Sequence, residues 1–396
     1  MSEQFCPHCM KSLKGTETFC PECGGDVKAA AAAYHLPIGT VLNSRSGHRF
    51  LFGMVKGEGG FGLTYIGKEL VSGKTVAIKE YFPTRCQPQR LPDASVRPEE
   101  RFQEAYGHGM QSFLSEASML RAVGHIPSIV HVMDYFEENH TAYMVMEYLD
   151  GRTLYQVMQS GEAIPPEILI PKFLPLMYDL AHLHEAGVLH RDIAPDNIMW
   201  MPDGSLKLLD FGCARSLEDG RSMTVVLKPG FAPIEQYQTR GQGSYTDIYA
   251  VCATIYYCIT GKVPPASPER LTETFDNHPD PLLAPSAFGV PISEKQEQIL
   301  MWGLSLQPSV RPQDIAVIAS RLEKASASGE IVNTVSQTIS EPEAEDTEPV
   351  HTADYSEQAE DPVRPEPPKP LRNTVWVKAA IAAGIIVAAI ILRWLF

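Results

Sequence analysis

Gly57-Glu58-Gly59-Gly60-Phe61-Gly62-Leu63-Thr64 runs straight into Tyr65-Ile66 and, past a Ser72-Gly73 turn, into Thr75-Val76-Ala77-Ile78-Lys79. A Gly-x-Gly-x-x-Gly stretch alone is weak evidence, because it introduces a helix in dinucleotide sites. Here the residues after the last glycine are β-branched, aromatic and apolar, and they read as two strands joined by a turn. The expected element is a glycine-rich hairpin. Its backbone can lie close over phosphates, and a lysine at the end of the following strand, Lys79, can hold two of them.

The rest of the chain supplies further parts in order. Phe113-Leu114-Ser115-Glu116-Ala117 opens a helical pattern in which Glu116 could pair with Lys79. Ala142 to Leu149 reads as a buried strand running into a connector. His190-Arg191-Asp192-Ile193-Ala194-Pro195-Asp196-Asn197 follows, and Asp210-Phe211-Gly212 starts thirteen residues beyond Asn197. In this order and spacing the motifs resemble the signature set of the eukaryotic-type protein kinases, over about 275 residues. The variants GGFGLTY, Lys79 to Pro83 and Lys228 to Tyr237 are most similar to bacterial serine/threonine kinases of the Hanks type.

That resemblance implies an α+β, bilobal protein-kinase fold, with a β-rich N-lobe over about 48–148 and a helical C-lobe over about 149–324. It implies protein serine/threonine kinase activity with ATP and two Mg2+ ions. Gly57, Gly59, Gly60 and Gly62 would cover the phosphates, and Lys79 would hold them. Thr64, Ala77 and Met199 would enclose the adenine, Met146 would be the gatekeeper, and Glu147 and Leu149 would offer backbone groups to the base. Asp192 would accept the substrate hydroxyl proton, and Asn197 and Asp210 would ligate magnesium. Asp247 and Arg311 would be supports of the C-lobe, Arg311 through Glu235.

Two positions depart from the family pattern. The lysine usually found two residues after the catalytic aspartate is Ala194, which removes a cation from a site whose catalysis rests on charge stabilisation. The threonine usually found before Pro229-Gly230 is Lys228. Lys228 is therefore expected to supply the missing ammonium from the opposite wall; the alternative is a lysine pointing into solvent. A pseudokinase scaffold acting through protein–protein contacts is the competing reading. Ser222 and Thr224 are candidate phosphorylation sites, and Phe82 to Gln111 reads as an exposed, partly ordered insertion.

Outside this region the chain carries three attachments. Cys6, Cys9, Cys20 and Cys23 form two Cys-x-x-Cys pairs ten residues apart, which suits a structural Zn2+ held by two knuckles, with the spacer folding back as a hairpin. The expected domains are a zinc ribbon over 1–28 and a linker over 29–47, including the alanine run Ala29 to Ala33. A redox role for the pairs is the weaker reading. Cys86, Cys213, Cys252 and Cys258 are scattered singly and read as small buried hydrophobes.

The net charge is −15 over 396 residues, but the stretch Glu330 to Pro368 holds 11 acidic residues against one basic. Residues 325–374 accordingly read as a disordered acidic, Pro-rich linker. The remainder is mildly acidic and lacks the basic footprint of a nucleic-acid binder. Ala379 to Leu392 is an unbroken apolar run flanked by Val375-Trp376-Val377-Lys378 and Arg393-Trp394. Over 375–396 a helix would rise about 33 Å, enough to cross a bilayer. Lys369, Arg372 and Lys378 would keep the kinase on the cytoplasmic side of the inner (plasma) membrane as a single-pass protein. Met1 to Cys9 lacks the charged and apolar regions of a secretory signal. The expected partners are protein substrates and the membrane, with no nucleic acid; a homodimer that phosphorylates itself is compatible with the reading.

Overall fold

The computed structural model describes residues 4–161, 163–211, 215–216, 227–238 and 241–327. The expected membrane span, nearly all of the acidic linker, Ser222, Thr224, Gly212 and Cys213 lie outside them. Among the described residues no helix is long and apolar enough to cross a membrane.

The chain starts with two cysteine knuckles. Strands β1 (Gln4–Phe5) and β2 (Ser12–Leu13) pair around the first, and a Phe19–Asp26 bridge closes the second. The pairing thus flanks each knuckle, and the expected hairpin inside the spacer is not what forms. The knuckles share one bond pattern: Met10 N–H donates to Cys6 O (2.9 Å) and Gly24 N–H to Cys20 O (2.8 Å). Both end in the left-handed region, Gly24 at φ 70° and Met10 at φ 58°. Glycine adopts that conformation freely, whereas a residue with a Cβ needs compensation.

Met10 obtains it by burial, being only 2% exposed. Its side chain covers Gly53, where a Cβ would lie 2.1 Å from Met10 Cε and 2.5 Å from Pro7 O. Met54 N–H donates to Pro7 O (2.8 Å), Lys68 Nζ to Met10 O (3.2 Å), and the Lys68 ammonium sits over the Phe5 ring. The knuckle module is therefore docked on the sheet. Gly53→Ala is expected to destabilise this contact by about 1–3 kcal/mol, because the clash is partly with backbone. The check is limited proteolysis between Gly24 and Ala33, which should speed up; an unchanged cleavage rate would mean the docking is incidental.

The large sheet comprises β3 (Val41–Asn43), β4 (Arg49–Gly59), β5 (Gly62–Glu69), β6 (Thr75–Tyr81) and, further along, β9 (Val132–Glu138) and β10 (Thr141–Glu147). Their order is β3-β4-β5-β6-β10-β9, with every pair antiparallel. The sheet begins inside the stretch 29–47 read as a linker. The reason is apolar burial: Leu36 is fully buried, and Leu42 pairs with Phe50 in the core.

Phe82 to Gln111 is also better ordered than its composition suggests. It carries the hairpin β7 (Gln89–Arg90) and β8 (Val96–Arg97), with Cys86 and Val96 buried. Arg90 Nη2 pairs with Glu80 Oε2 at 2.6 Å, and Glu80 also accepts from Tyr65 Oη (2.8 Å) and Tyr143 Oη (2.9 Å). A buried carboxylate needs such partners. Helix α1 (Gln103–Ala122) starts ten residues before the Phe113 pattern. Gly107 and Gly109 mask its beginning, and Gly109 is needed because a Cβ there would meet Tyr81 Oη at 2.1 Å.

Helices dominate the second half. After β11 (Arg152–Thr153) come α2 (Leu154–Met158), capped by Thr153 and Gln156, and α3 (Pro166–Glu185). Short strands β12 (Val188–Leu189), β13 (Ile198–Trp200), β14 (Leu206–Leu208) and β15 (Arg215–Ser216) follow. β13 pairs with β11 and β14, and β12 with β15. The rest is α4 (Ile234–Tyr237), α5 (Ser244–Thr260), α6 (Ser267–Phe275), α7 (Glu294–Gly303) and α8 (Ile315–Ala327). α5 is buried along most of its length, so it reads as a core helix rather than an amphipathic surface one. A sheet-rich first lobe and a helical second lobe are as the sequence led us to expect.

Candidate active site

Strand register brings the upper wall of the site together. Gly57 pairs with Thr64, Thr64 with Lys79, and Met146 with Ala77. Directly paired residues share a face, as do residues two apart on one strand. Gly57, Thr64, Ala77, Lys79 and Met146 therefore line one side of the sheet. Opposite them, β13 carries Met199, whose Sδ would lie 3.1 Å from a Cβ at Gly151, just beyond the connector holding Glu147 and Leu149. Glu147 Oε1 is bonded to Lys207 Nζ and to His131 N–H, and its own N–H donates to His131 O (3.0 Å), so its carbonyl is the group to consider for recognition.

The glycines divide into two kinds. A Cβ at Gly57, Gly59 or Gly60 would meet nothing within 4 Å, which leaves room on the loop. At Gly62 a Cβ would lie 2.1 Å from Glu80 O. Gly62 is thus required by the packing of β5 on β6, a reason separate from phosphate contact.

The lower wall is built on buried bonds. Asp247, fully buried at the start of α5, accepts from the N–H groups of His190 (2.8 Å) and Arg191 (2.8 Å) and is bonded to His184 Nε2 (2.9 Å). Burial would raise its carboxyl, but these bonds and the nearby imidazoles hold it below the usual range. Arg191 and Asp210 both have positive φ, 65° and 41°. Such backbone persists where surrounding bonds over-determine it. His190 Nε2 is bonded to Leu209 O (2.9 Å) and its ring packs on Phe211 (4.2 Å), which ties the two motifs together. Arg311 forms a two-point pair with Glu235 (2.7 and 2.8 Å), both buried, as expected of a support.

Asp192 lies at the centre. Its Oδ2 accepts from Asn197 Nδ2 (2.7 Å), and the same nitrogen donates to Asp192 O (2.8 Å). Both amide hydrogens of Asn197 are thereby used, and Oδ1 is the side-chain atom left to meet a cation. Lys228 Nζ lies 3.3 Å from Asp192 Oδ1 and 2.8 Å from Asp196 Oδ1. Ala194 is buried, with 1% exposure. Burial pushes the Asp192 carboxyl up to about 6; Lys228 pulls it down, while Asp196 and Asp210 push it further up. A small pocket beside this group is lined by Arg191, Asp192, Lys228, Phe231 and Gln236.

Lys79 bonds to Asp210. Glu116, expected to pair with Lys79, makes no ion pair among the described residues. Lys79 is taken up by Asp210 instead, and desolvation pushes the Glu116 carboxyl up to about 8, with Lys79 opposing and Asp210 adding to the rise. The sequence placed Glu116 on the right helix but carries no sign of this desolvation.

At the N-terminus Cys6, Cys9, Cys20 and Cys23 bring all four sulfurs within 4.8 Å of one another. The Cys6–Cys23 and Cys9–Cys20 separations are 3.7 Å each. With Zn–S bonds of about 2.3 Å, a tetrahedral site has sulfur–sulfur edges of about 3.8 Å. The donor set fits.

Residues 52–320 match the protein kinase domain family. Serine/threonine-protein kinase PknB of Mycobacterium leprae is 27% identical over 282 residues, covering 69% of this chain and 42% of its own length. Serine/threonine-protein kinase B of Synechocystis is 30% identical over 224 residues, with 52% and 36% covered. Among solved structures, PpkA-294 in its apo form is 34% identical with a TM-score of 0.62, covering 73% of this chain and 99% of that one. The chain spans about two-fifths of the length of the curated relatives it matches most strongly. Matched from the second strand of the large sheet to the last helix, the chain belongs to the protein kinase domain family.

Proposed function

We propose that this chain transfers the γ-phosphoryl group of ATP to serine and threonine hydroxyls of proteins. The observation that carries the reading is Asp192, held by Asn197 and paired with the ammonium of Lys228 beside a small pocket. Asp192 accepts the hydroxyl proton as the oxygen attacks. Asn197 Oδ1 and Asp210 would hold magnesium, which would offset the charge of the ATP phosphates. Lys79 holds phosphate oxygens beneath Gly57, Gly59 and Gly60, with Gly62 closing the hairpin. Thr64, Ala77 and Met199 enclose the base, and the backbone of Glu147 and Leu149 reads its edge.

Lys228 supplies the cation that Ala194 does not. This is supported by its ammonium, which sits between the carboxylates of Asp192 and Asp196. Purified full-length chain with radiolabelled ATP, Mg2+ and a mixed protein substrate should yield phosphoserine and phosphothreonine. Label on tyrosine only, or none at all, would overturn the reading. The second outcome would favour a pseudokinase scaffold, a reading supported by Ala194 and by the Lys79–Asp210 pairing.

The four cysteines are proposed to hold a structural Zn2+, supported by the 3.7 Å sulfur spacings. One zinc per chain by atomic absorption, lost in Cys6→Ser with Cys9→Ser, is the expected result. Residues 375–396 are proposed to anchor the chain in the inner membrane with the kinase on the cytoplasmic side, supported by the apolar run and the flanking Lys369, Arg372 and Lys378. Truncation after residue 374 should release the protein from the membrane fraction.

A further inference from the structure

The glycine-rich loop carries an acid. Glu58 lies between Gly57 and Gly59, in a loop read as the cover of a polyanion. A carboxylate swinging towards the phosphates would repel them. The register shows where it points. Glu58 pairs with Leu63, Leu63 with Glu80, and Glu80 with Tyr143, so Glu58 shares the sheet face opposite Thr64 and Lys79.

On that outer face the carboxylate is held by the segment that follows the knuckles. Tyr34 Oη donates to Glu58 Oε2 (2.9 Å), and His35 Nε2 is bonded to Glu58 Oε1 (2.9 Å). The segment is itself anchored at several points. Arg90 Nε donates to Tyr34 O (2.9 Å), the Tyr34 ring stacks on Phe82, and Leu36 N–H donates to the buried Tyr65 Oη (3.0 Å). Tyr65 in turn bonds to Glu80, the residue after Lys79. On its other side the loop tip is tied to the end of β6, where Thr84 N–H donates to Gly60 O and Phe82 N–H to Phe61 O (3.2 Å each).

We propose that Tyr34 and His35 are positioning residues for the glycine-rich loop, strapping Glu58 to the outer face of the sheet and so setting the affinity for ATP. This rests on the reading that the loop covers ATP. Neither residue touches the nucleotide wall; they act through Glu58. The two bonds go to a charged acceptor, the stronger class of hydrogen bond, and they join elements far apart in sequence. Without them the loop keeps its own β4–β5 pairing and its ties to Phe82 and Thr84, but Glu58 is no longer fixed to the outer face.

The test uses the full-length chain with ATP titrated by calorimetry, alongside hydrogen exchange of the amides of residues 57–62. The double variant Tyr34→Phe with His35→Ala should weaken ATP binding about fivefold, equivalent to about 1 kcal/mol, and speed exchange in the loop. Tyr34→Phe with His35→Gln, which restores a donor at one of the two positions, should recover part of both. Glu58→Ala, a change at a half-exposed site that leaves the core untouched, should speed exchange to the same extent and so reports on the strap even if the double variant folds poorly. Unchanged ATP affinity and unchanged exchange in the double variant would overturn the proposal. If the wild-type chain binds no ATP, the kinase reading fails instead, and the exchange measurement alone decides whether the strap exists.

Discussion

Asp192→Asn should lower phosphoryl transfer roughly a thousandfold, within the range for loss of a general base. The substitution preserves shape. An asparagine can still accept from Asn197 Nδ2, and Lys228 keeps Asp196 at 2.8 Å as a partner. The fold should therefore survive, with a melting temperature near that of wild type, while the proton acceptor is gone. Single-turnover labelling with saturating ATP is the appropriate measurement, because it isolates the chemical step from product release. Transfer within tenfold of wild type would mean that another group takes the proton.

The same residue sets a pH dependence. Burial raises its carboxyl to about 6, and the basic form is the one that works. Its population falls as pH drops below about 6, so kcat/KM for the protein substrate should decline on that acid side and level off above it. In Asp192→Asn the residual rate should lose that limb.

Lys228→Ala is the second large effect, expected to cost about 10²-fold in kcat with little change in KM for ATP. Two influences act together. The ammonium is lost from a site where negative charge concentrates on Asp192, Asp196 and Asp210. The Asp192 carboxyl also loses the cation that was pulling it down, so the acid limb should move to higher pH. Lys228→Arg keeps the charge and should recover part of the rate. The swap Ala194→Lys with Lys228→Thr tests the same idea from the other wall. Full turnover by Lys228→Ala would show that the ammonium only neutralises Asp196, and the scaffold reading would gain from a wild type that is equally inactive.

The parts of the site differ in how far they could be read in advance. That Gly57 and Lys79 share one face of the sheet, and that Asp192 meets Asn197 and Lys79 meets Asp210, was legible because the family motifs set these residues at fixed spacings. Lys228 was legible as an exchange of positions with Ala194. The absence of a Glu116–Lys79 pair among the described residues was not, since it depends on how α1, β6 and the Asp210 loop come together. Nor was the strap: Tyr34 and His35 sit in a stretch whose alanines and turns look like a tether, and nothing nearby in sequence points to Glu58. Phe82 to Gln111 misleads for a related reason. Its prolines and charges suggest exposure, yet Arg90 is buried because Glu80, Tyr65 and Tyr143 await it on the sheet.

What the sequence determined by itself is therefore the family, its motif residues and the order of the elements. Local rules suffice there: β-branched runs make the glycine hairpin, two Cys-x-x-Cys turns present four thiolates, and the Asp192 and Asp210 motifs carry their own spacing. What only the tertiary structure decided is how distant segments hold those groups. Docking of Met10 on Gly53, the bonds on Glu58, the raised carboxyl of Glu116 and the seat of the Lys228 ammonium all depend on burial and on partners far along the chain. Desolvation and long-range pairing are properties of the folded surroundings, and no local pattern of residues records them.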